Sequence, residues 1–254
     1  MELSPAAAFS NIDPLLLAGA AAVTFGAAYV RGLTGFGMAI ILVPLLGLII
    51  SPGEAVVLGI LLQLLIGPIG IKVIMADADR KSAVTIAAFA MLTTPAGIWL
   101  FKQTSPDVAR LIIAAIAIMA FLLVLLPYRT GAGPGPKETA ATGIASGILT
   151  GFAAMPGPPV IPYYLRQSMS PDQARASMMM VFFGTAIAGT ISSFTLGLGS
   201  WRLIWLSAFL FLPMLAGNWL GARSFGKVSA PVWRSFVAVV LAMAAMSAVI
   251  RLMA

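Results

Sequence analysis

The chain carries one pattern twice. Leu33-Thr34-Gly35-Phe36 returns as Leu149-Thr150-Gly151-Phe152, Ser51-Pro52-x-x-Ala55 as Ser170-Pro171-x-x-Ala174, and Gly97-x-Trp99-Leu100 as Gly217-x-Trp219-Leu220. The order is kept and the offset drifts only from 116 to 120. Two like halves in an apolar chain are the mark of a secondary transporter, whose substrate site usually lies at the repeat interface near the bilayer midplane.

Lipid is the only solvent that suits the composition. At 60% apolar and 9% charged residues, with a mean hydropathy of +1.03, 254 residues cannot cover a globule with polar surface. Charge-free stretches run 14–30, 32–53, 55–71, 82–101, 111–128, 139–165, 176–201, 203–222 and 235–250, against the ~20 residues a span requires. One membrane domain is expected over 1–254, with repeat one at about 14–127, a joint at 128–137 and repeat two at about 138–252. The joint contains Gly131-Ala132-Gly133-Pro134-Gly135-Pro136, which cannot continue a spanning helix. No basic n-region opens the chain, so no cleaved leader is expected. The formal charge of +7 would suggest nucleic acid in a soluble protein. Here the basic residues flank apolar segments and read as topology signals. Cysteine and histidine are both absent, which removes thiol chemistry and the thiolate and imidazole ligands of most metal sites. No metal and no cofactor are expected.

Ten apolar elements emerge, five per repeat: 14–30, 36–50, 55–75, 82–101, 107–127, 138–152, 157–165, 173–198, 201–222 and 231–252. Five is odd, so the second half enters from the opposite side. The expected fold is all-α, two inverted repeats of five helical elements each. Elements 36–50 and 157–165 are too short to span and are expected to be broken or re-entrant. Following the chain back and forth places eleven basic residues on one side and Lys102, Arg110, Arg202 and Arg251 on the other. The basic side is the cytoplasmic one. A multi-pass protein of a bacterial inner membrane with both termini outside is the expected arrangement.

The bends hold the candidate chemistry. The first reads Arg31-Gly32-Leu33-Thr34-Gly35-Phe36-Gly37; the second reads Leu149-Thr150-Gly151-Phe152 followed by Met155-Pro156-Gly157-Pro158-Pro159. Glycine admits backbone conformations closed to other residues and proline fits a helix's first turn, so each bend can end one helix and start another. A starting helix presents unpaired N–H groups and a partial positive charge, which suit an anion. If the bends meet, Gly35, Gly37, Gly151, Pro156 and Gly157 shape the backbone around it. Thr34 and Thr150 add hydroxyls, and Phe36 and Phe152 add walls. Plain close packing of helices is the alternative for such glycines. Arg31 is either a cytoplasmic anchor or a buried cation at the site. Gln63, in the middle of 55–71, either bonds a neighbouring helix or meets the ligand. No Asp, Glu or His interrupts an apolar element, so the usual carboxylate or imidazole relay is missing and an enzyme reading lacks a base.

At these bends the chain resembles the TauE/SafE family of bacterial membrane transporters, over about 15–252. The resemblance rests on Gly32-Leu33-Thr34-Gly35-Phe36-Gly37 running through Val43-Pro44, on Gly157-Pro158-Pro159, and on the spacing to Ser-Pro-x-x-Ala. It departs at Gly37-Met38-Ala39, where relatives often have three glycines, and at Pro156, where glycine is common. The resemblance implies export of small sulfur-containing anions, sulfite or organosulfonates. The partners are then that anion and the bilayer, with a homodimer allowed. Ion-coupled uptake of an organic anion, an anion channel, and a membrane scaffold or sensor partner are the rival readings.

Overall fold

The computed structural model describes residues 13–35, 37–125 and 133–224, together with Val239. Among them lie ten α-helices and no strand: α1 Pro14–Thr34, α2 Met38–Ile49, α3 Pro52–Ile66, α4 Ile71–Asp77, α5 Arg80–Lys102, α6 Pro106–Leu125, α7 Pro136–Ala153, α8 Gly157–Leu165, α9 Pro171–Thr195 and α10 Trp201–Arg223. The expected element 231–252 and most of the joint lie outside the described residues. By length and composition α1, α5, α6, α9 and α10 can each cross a membrane. The protein is an all-helical, multi-pass membrane protein.

Helix starts follow local chemistry. Ser51 accepts from the Glu54 backbone N–H while Glu54 returns a bond to the Ser51 N–H, a capping box that opens α3. Its counterpart Ser170 accepts from the Gln173 N–H to open α9, and in both motifs the proline occupies the first helical turn, where its missing N–H costs nothing. The duplicated Ser-Pro is thus a helix start in each half.

One element departs from expectation. The run 55–75 is not continuous: α3 ends at Ile66, a turn spans 67–70, and α4 resumes at Ile71. Pro68 cannot donate to the helical ladder and Gly70 adopts φ +77°, a left-handed value that ends regular helix. The Phe183 ring lies directly on Gly67, where a Cβ would collide with it. The corresponding stretch of the second half, α9, runs unbroken for 25 residues.

α2 and α3 form the centre. Ile40 to Val43 and Leu46 on α2, and Val56 to Ile60 and Leu62 on α3, are buried around the whole helix circumference, as expected of helices with no lipid-facing side. At 12 residues, α2 is ~18 Å long and falls well short of a ~30 Å hydrocarbon core. The long helices surround this pair and turn Leu92, Ile191 and Leu212 outward.

Two close helix pairs lock the assembly. On α7, Gly143, Gly147 and Gly151 meet the carbonyls of Ile86, Ala90 and Thr94 on α5 in turn, and the Thr93 hydroxyl donates to the Ile144 carbonyl at 3.0 Å. On α10, Gly217 and Gly221 meet the carbonyls of Phe25 and Tyr29 on α1. Contacts advance together along both members, so each pair runs parallel. Small residues at every fourth position let the backbones approach this closely. In the duplicated Gly-x-Trp-Leu, both glycines face a partner helix, while Trp99 and Trp219 are each 55% exposed.

Candidate functional site

The two bends meet. α1 ends at Gly35 in the left-handed region (φ +84°), its N–H bonded to the Arg31 carbonyl, and Gly37 at φ +89° turns the chain into α2. In the second half α7 ends at Ala154, also left-handed at φ +56°, and α8 starts at Gly157. The starts of α2 and α8 then face one cavity of about 50 Å³. About 10–15 Å³ on the same measure holds a water, so the space suits a ligand of a few heavy atoms.

Arg31, Gly37, Met38, Ala39, Gln63, Pro156 and Gly157 line the cavity on its polar side, with Ile66, Ile161, Met179, Phe182 and Phe183 among the apolar walls. No carboxylate is among its lining residues. Neither helix start carries a side-chain cap. The first-turn N–H groups of Met38, Ala39 and Ile40 have no intrahelical partner. The α8 end is poorer, because Pro158 and Pro159 have no N–H to give. α2 therefore offers the fuller set of donors, and α8 contributes mainly Gly157, Val160 and its dipole.

Arg31 completes the positive lining. Its Nη1 donates to Asn218 Oδ1 on α10 at 2.9 Å, which fixes one arm of the guanidinium and leaves its other donors uncommitted among the described residues. The second bend is held by two side chains that draw its carbonyls away. Gln63 Nε2 donates to the Ala154 carbonyl at 2.8 Å and to the Gly59 carbonyl at 3.1 Å, and Ser146 Oγ donates to the Pro156 carbonyl at 3.1 Å. Both amide protons of Gln63 are committed to backbone. It braces the bend and has no donor left for an anion.

Of the residues singled out from the sequence, the structure brings Arg31, Gly37, Gln63, Pro156 and Gly157 to this cavity. The other described ones stand apart. Thr34 Oγ1 donates to the Val30 carbonyl and Thr150 Oγ1 to the Ser146 carbonyl, each within its own helix. Gly151 is pressed on the α5 backbone, with its missing Cβ 2.6 Å from Ile98 N. Phe152 meets Phe101 edge-on at 5.6 Å, and Gly35 lies under the Arg175 side chain. Phe36 lies outside the described residues. From the sequence Asn218 ranks only as a weak candidate, below Gln63, while Ser146 and the α9 wall carry no signal. A polar residue directly after a duplicated glycine was the available sign for Asn218.

A second, wholly apolar space of about 350 Å³ adjoins the first and shares Gly67, Ile74, Met179 and Phe183 with it. The Phe183 ring is part of the partition. Among the described residues no three His, Cys, Asp or Glu side chains stand together to hold a metal ion.

Compared with known families, residues 20–248 match the one described as Sulfite exporter TauE/SafE. Neither the curated proteins nor the solved structures gave a match.

Proposed function

The chain belongs to the TauE/SafE family of membrane transporters, and we propose that it exports a small sulfur oxyanion, sulfite or an organosulfonate, across the inner membrane by alternating access. It is a transporter and not an enzyme. The observation that carries the substrate class is the cavity in which two uncapped helix starts and Arg31 converge with no carboxylate among the lining residues. Backbone N–H groups and a planar guanidinium fork match the oxygens of a sulfite or sulfonate, and the largely apolar surroundings strengthen each such bond.

Packing supports two inverted repeats. The long helix at the fourth apolar element of each half, α5 or α10, lies parallel to the first helix of the other half, α7 or α1, through the same use of glycine. In an inverted arrangement those two members of each pair cross in the same sense. The reciprocal pairs leave the short α2 and α8 between them, so rocking one pair against the other would expose the anion to alternate sides. Direction follows from charge. With basic loops inside, both termini are periplasmic, and an inside-negative potential gives a departing anion roughly 2.3 kcal/mol per charge per 100 mV.

Purified protein in liposomes tests this. Sulfite efflux should exceed that of empty liposomes and rise when a potassium diffusion potential makes the interior negative. Efflux equal to that of empty liposomes would remove the assignment.

A further inference from the structure

We propose that Arg175 is an outer oxyanion-binding residue that receives the substrate before Arg31 does, which rests on the exporter reading above. Arg175 is a half-buried side chain near the start of α9. Met179, one turn further along that helix, lines the cavity, as do Phe182 and Phe183. Positions 175, 179 and 182 share a helix face, so Arg175 stands ~6 Å outward from the cavity wall along the same face. Across from it is the end of α1. A Cβ on Gly35 would fall 2.7 Å from Arg175 Nε and 2.8 Å from its Cδ, so the guanidinium stem crosses the bend directly over that glycine. Gly35 is one turn beyond Arg31, and the two arginine charges oppose each other.

Two features make this a site for an anion. Arg31, Arg80, Arg110, Arg166, Arg202 and Arg223 each hold an amide, a carbonyl, a carboxylate or a ring. The Arg175 side chain makes no such contact among the described residues, although Asp172 is close in sequence. It also stands in the second turn of α9, near the helix's positive end, where a cation is disfavoured. Two like charges and a helix start, with no ion pair to either charge among the described residues, are relieved together by one oxyanion. The duplication offers no template for this pair: Arg175 matches Val56, and Arg31 matches Gly147. Each half supplies one cation by a separate addition, and both fall on the basic side of the topology, the side from which an exporter loads.

The test measures sulfite efflux from phosphatidylcholine liposomes, with the loading side known from protein orientation, for wild type, Arg175→Gln, Arg175→Lys and Arg31→Gln. Arg175→Gln should raise the KM for sulfite on the loading side on the order of tenfold at low salt, with little change in kcat. Wild-type KM should rise with ionic strength and the glutamine variant's should rise less. Arg175→Lys should keep most of the salt dependence. Should the glutamine variant fail to insert, the wild-type salt series and the lysine variant decide, and a flat series overturns the proposal. Arg31→Gln should weaken sulfite binding further than Arg175→Gln does. If Arg31→Gln weakens binding while Arg175→Gln leaves KM and its salt dependence unchanged, the outer site is wrong and the central cavity stands. If neither variant changes sulfite transport, both fall. If Arg175→Gln changes only the stabilisation gained from added phosphatidylglycerol, the residue holds a lipid headgroup and the proposal is overturned.

Discussion

Replacing the duplicated glycines Gly35 and Gly151 with alanine should have unequal consequences, although the sequence presents them as equivalents. A Cβ at Gly151 would strike the Thr94 carbonyl and come within 2.6 Å of Ile98 N and 2.9 Å of Gly97 C, all α5 backbone. Backbone cannot rotate aside, so α5 and α7 must separate along a contact that also holds the Thr93–Ile144 hydrogen bond. Overpacking of this kind costs up to ~3 kcal/mol. On the scale of soluble domains of this size that is ~6–12 °C. At Gly35 the nearest atoms belong to the flexible Arg175 side chain, so the cost is mainly the left-handed backbone at φ +84°, ~1–2 kcal/mol. Thermal melting of both variants in detergent, with and without sulfite, separates the two. Gly151→Ala should melt well below Gly35→Ala and keep the wild-type increment on adding sulfite, whereas Gly35→Ala should lose part of that increment. A Gly151→Ala variant as stable as wild type would refute the close-packed α5–α7 contact.

Gln63→Leu should cost ~1–3 kcal/mol by orphaning the Ala154 carbonyl, and should weaken sulfite binding because α8 loses a brace; calorimetry and melting read the two effects. Phe183→Ala should join the small cavity to the adjoining apolar space of about 350 Å³, so that an arylsulfonate competes with sulfite in the variant more strongly than in wild type. Because the chain has no cysteine, Ala78→Cys and Ser105→Cys report topology without background. An impermeant thiol reagent on intact cells should label the second and spare the first.

Legibility in the sequence followed the kind of signal each residue carries. Helix starts at Ser51-Pro52 and Ser170-Pro171 were readable because capping is local chemistry. That Arg31, Gly37 and Gly157 come to one cavity was foreshadowed by a charge between apolar runs and by glycines at the helix breaks. The threonines misdirected, since a helical threonine satisfies its hydroxyl on the carbonyl four residues back, as Thr34 and Thr150 both do. Gly151 matched Gly35 in sequence, yet one meets a helix backbone and the other an arginine side chain, a difference only tertiary contact creates. The break at Gly67-Pro68 carried its own warning in composition. The α9 wall did not, because an apolar side chain facing a cavity looks the same in sequence as one facing lipid. In sequence Arg175 is an ordinary charge near a helix end, and only the packing of α9 against Gly35 sets it apart.

Selective transport depends on the oxyanion meeting Arg31 at the two helix starts. Sulfite affinity of purified Arg31→Lys and Arg31→Gln, measured by calorimetry beside the membrane yield of each, tests this directly. The planar fork of arginine pairs with two oxygens where an ammonium offers a point charge, so lysine should bind sulfite several-fold more weakly and glutamine more weakly still, with both variants present in the membrane at near wild-type yield. Wild-type affinity in Arg31→Gln, with yield reduced instead, would make Arg31 an interfacial anchor and contradict the central claim.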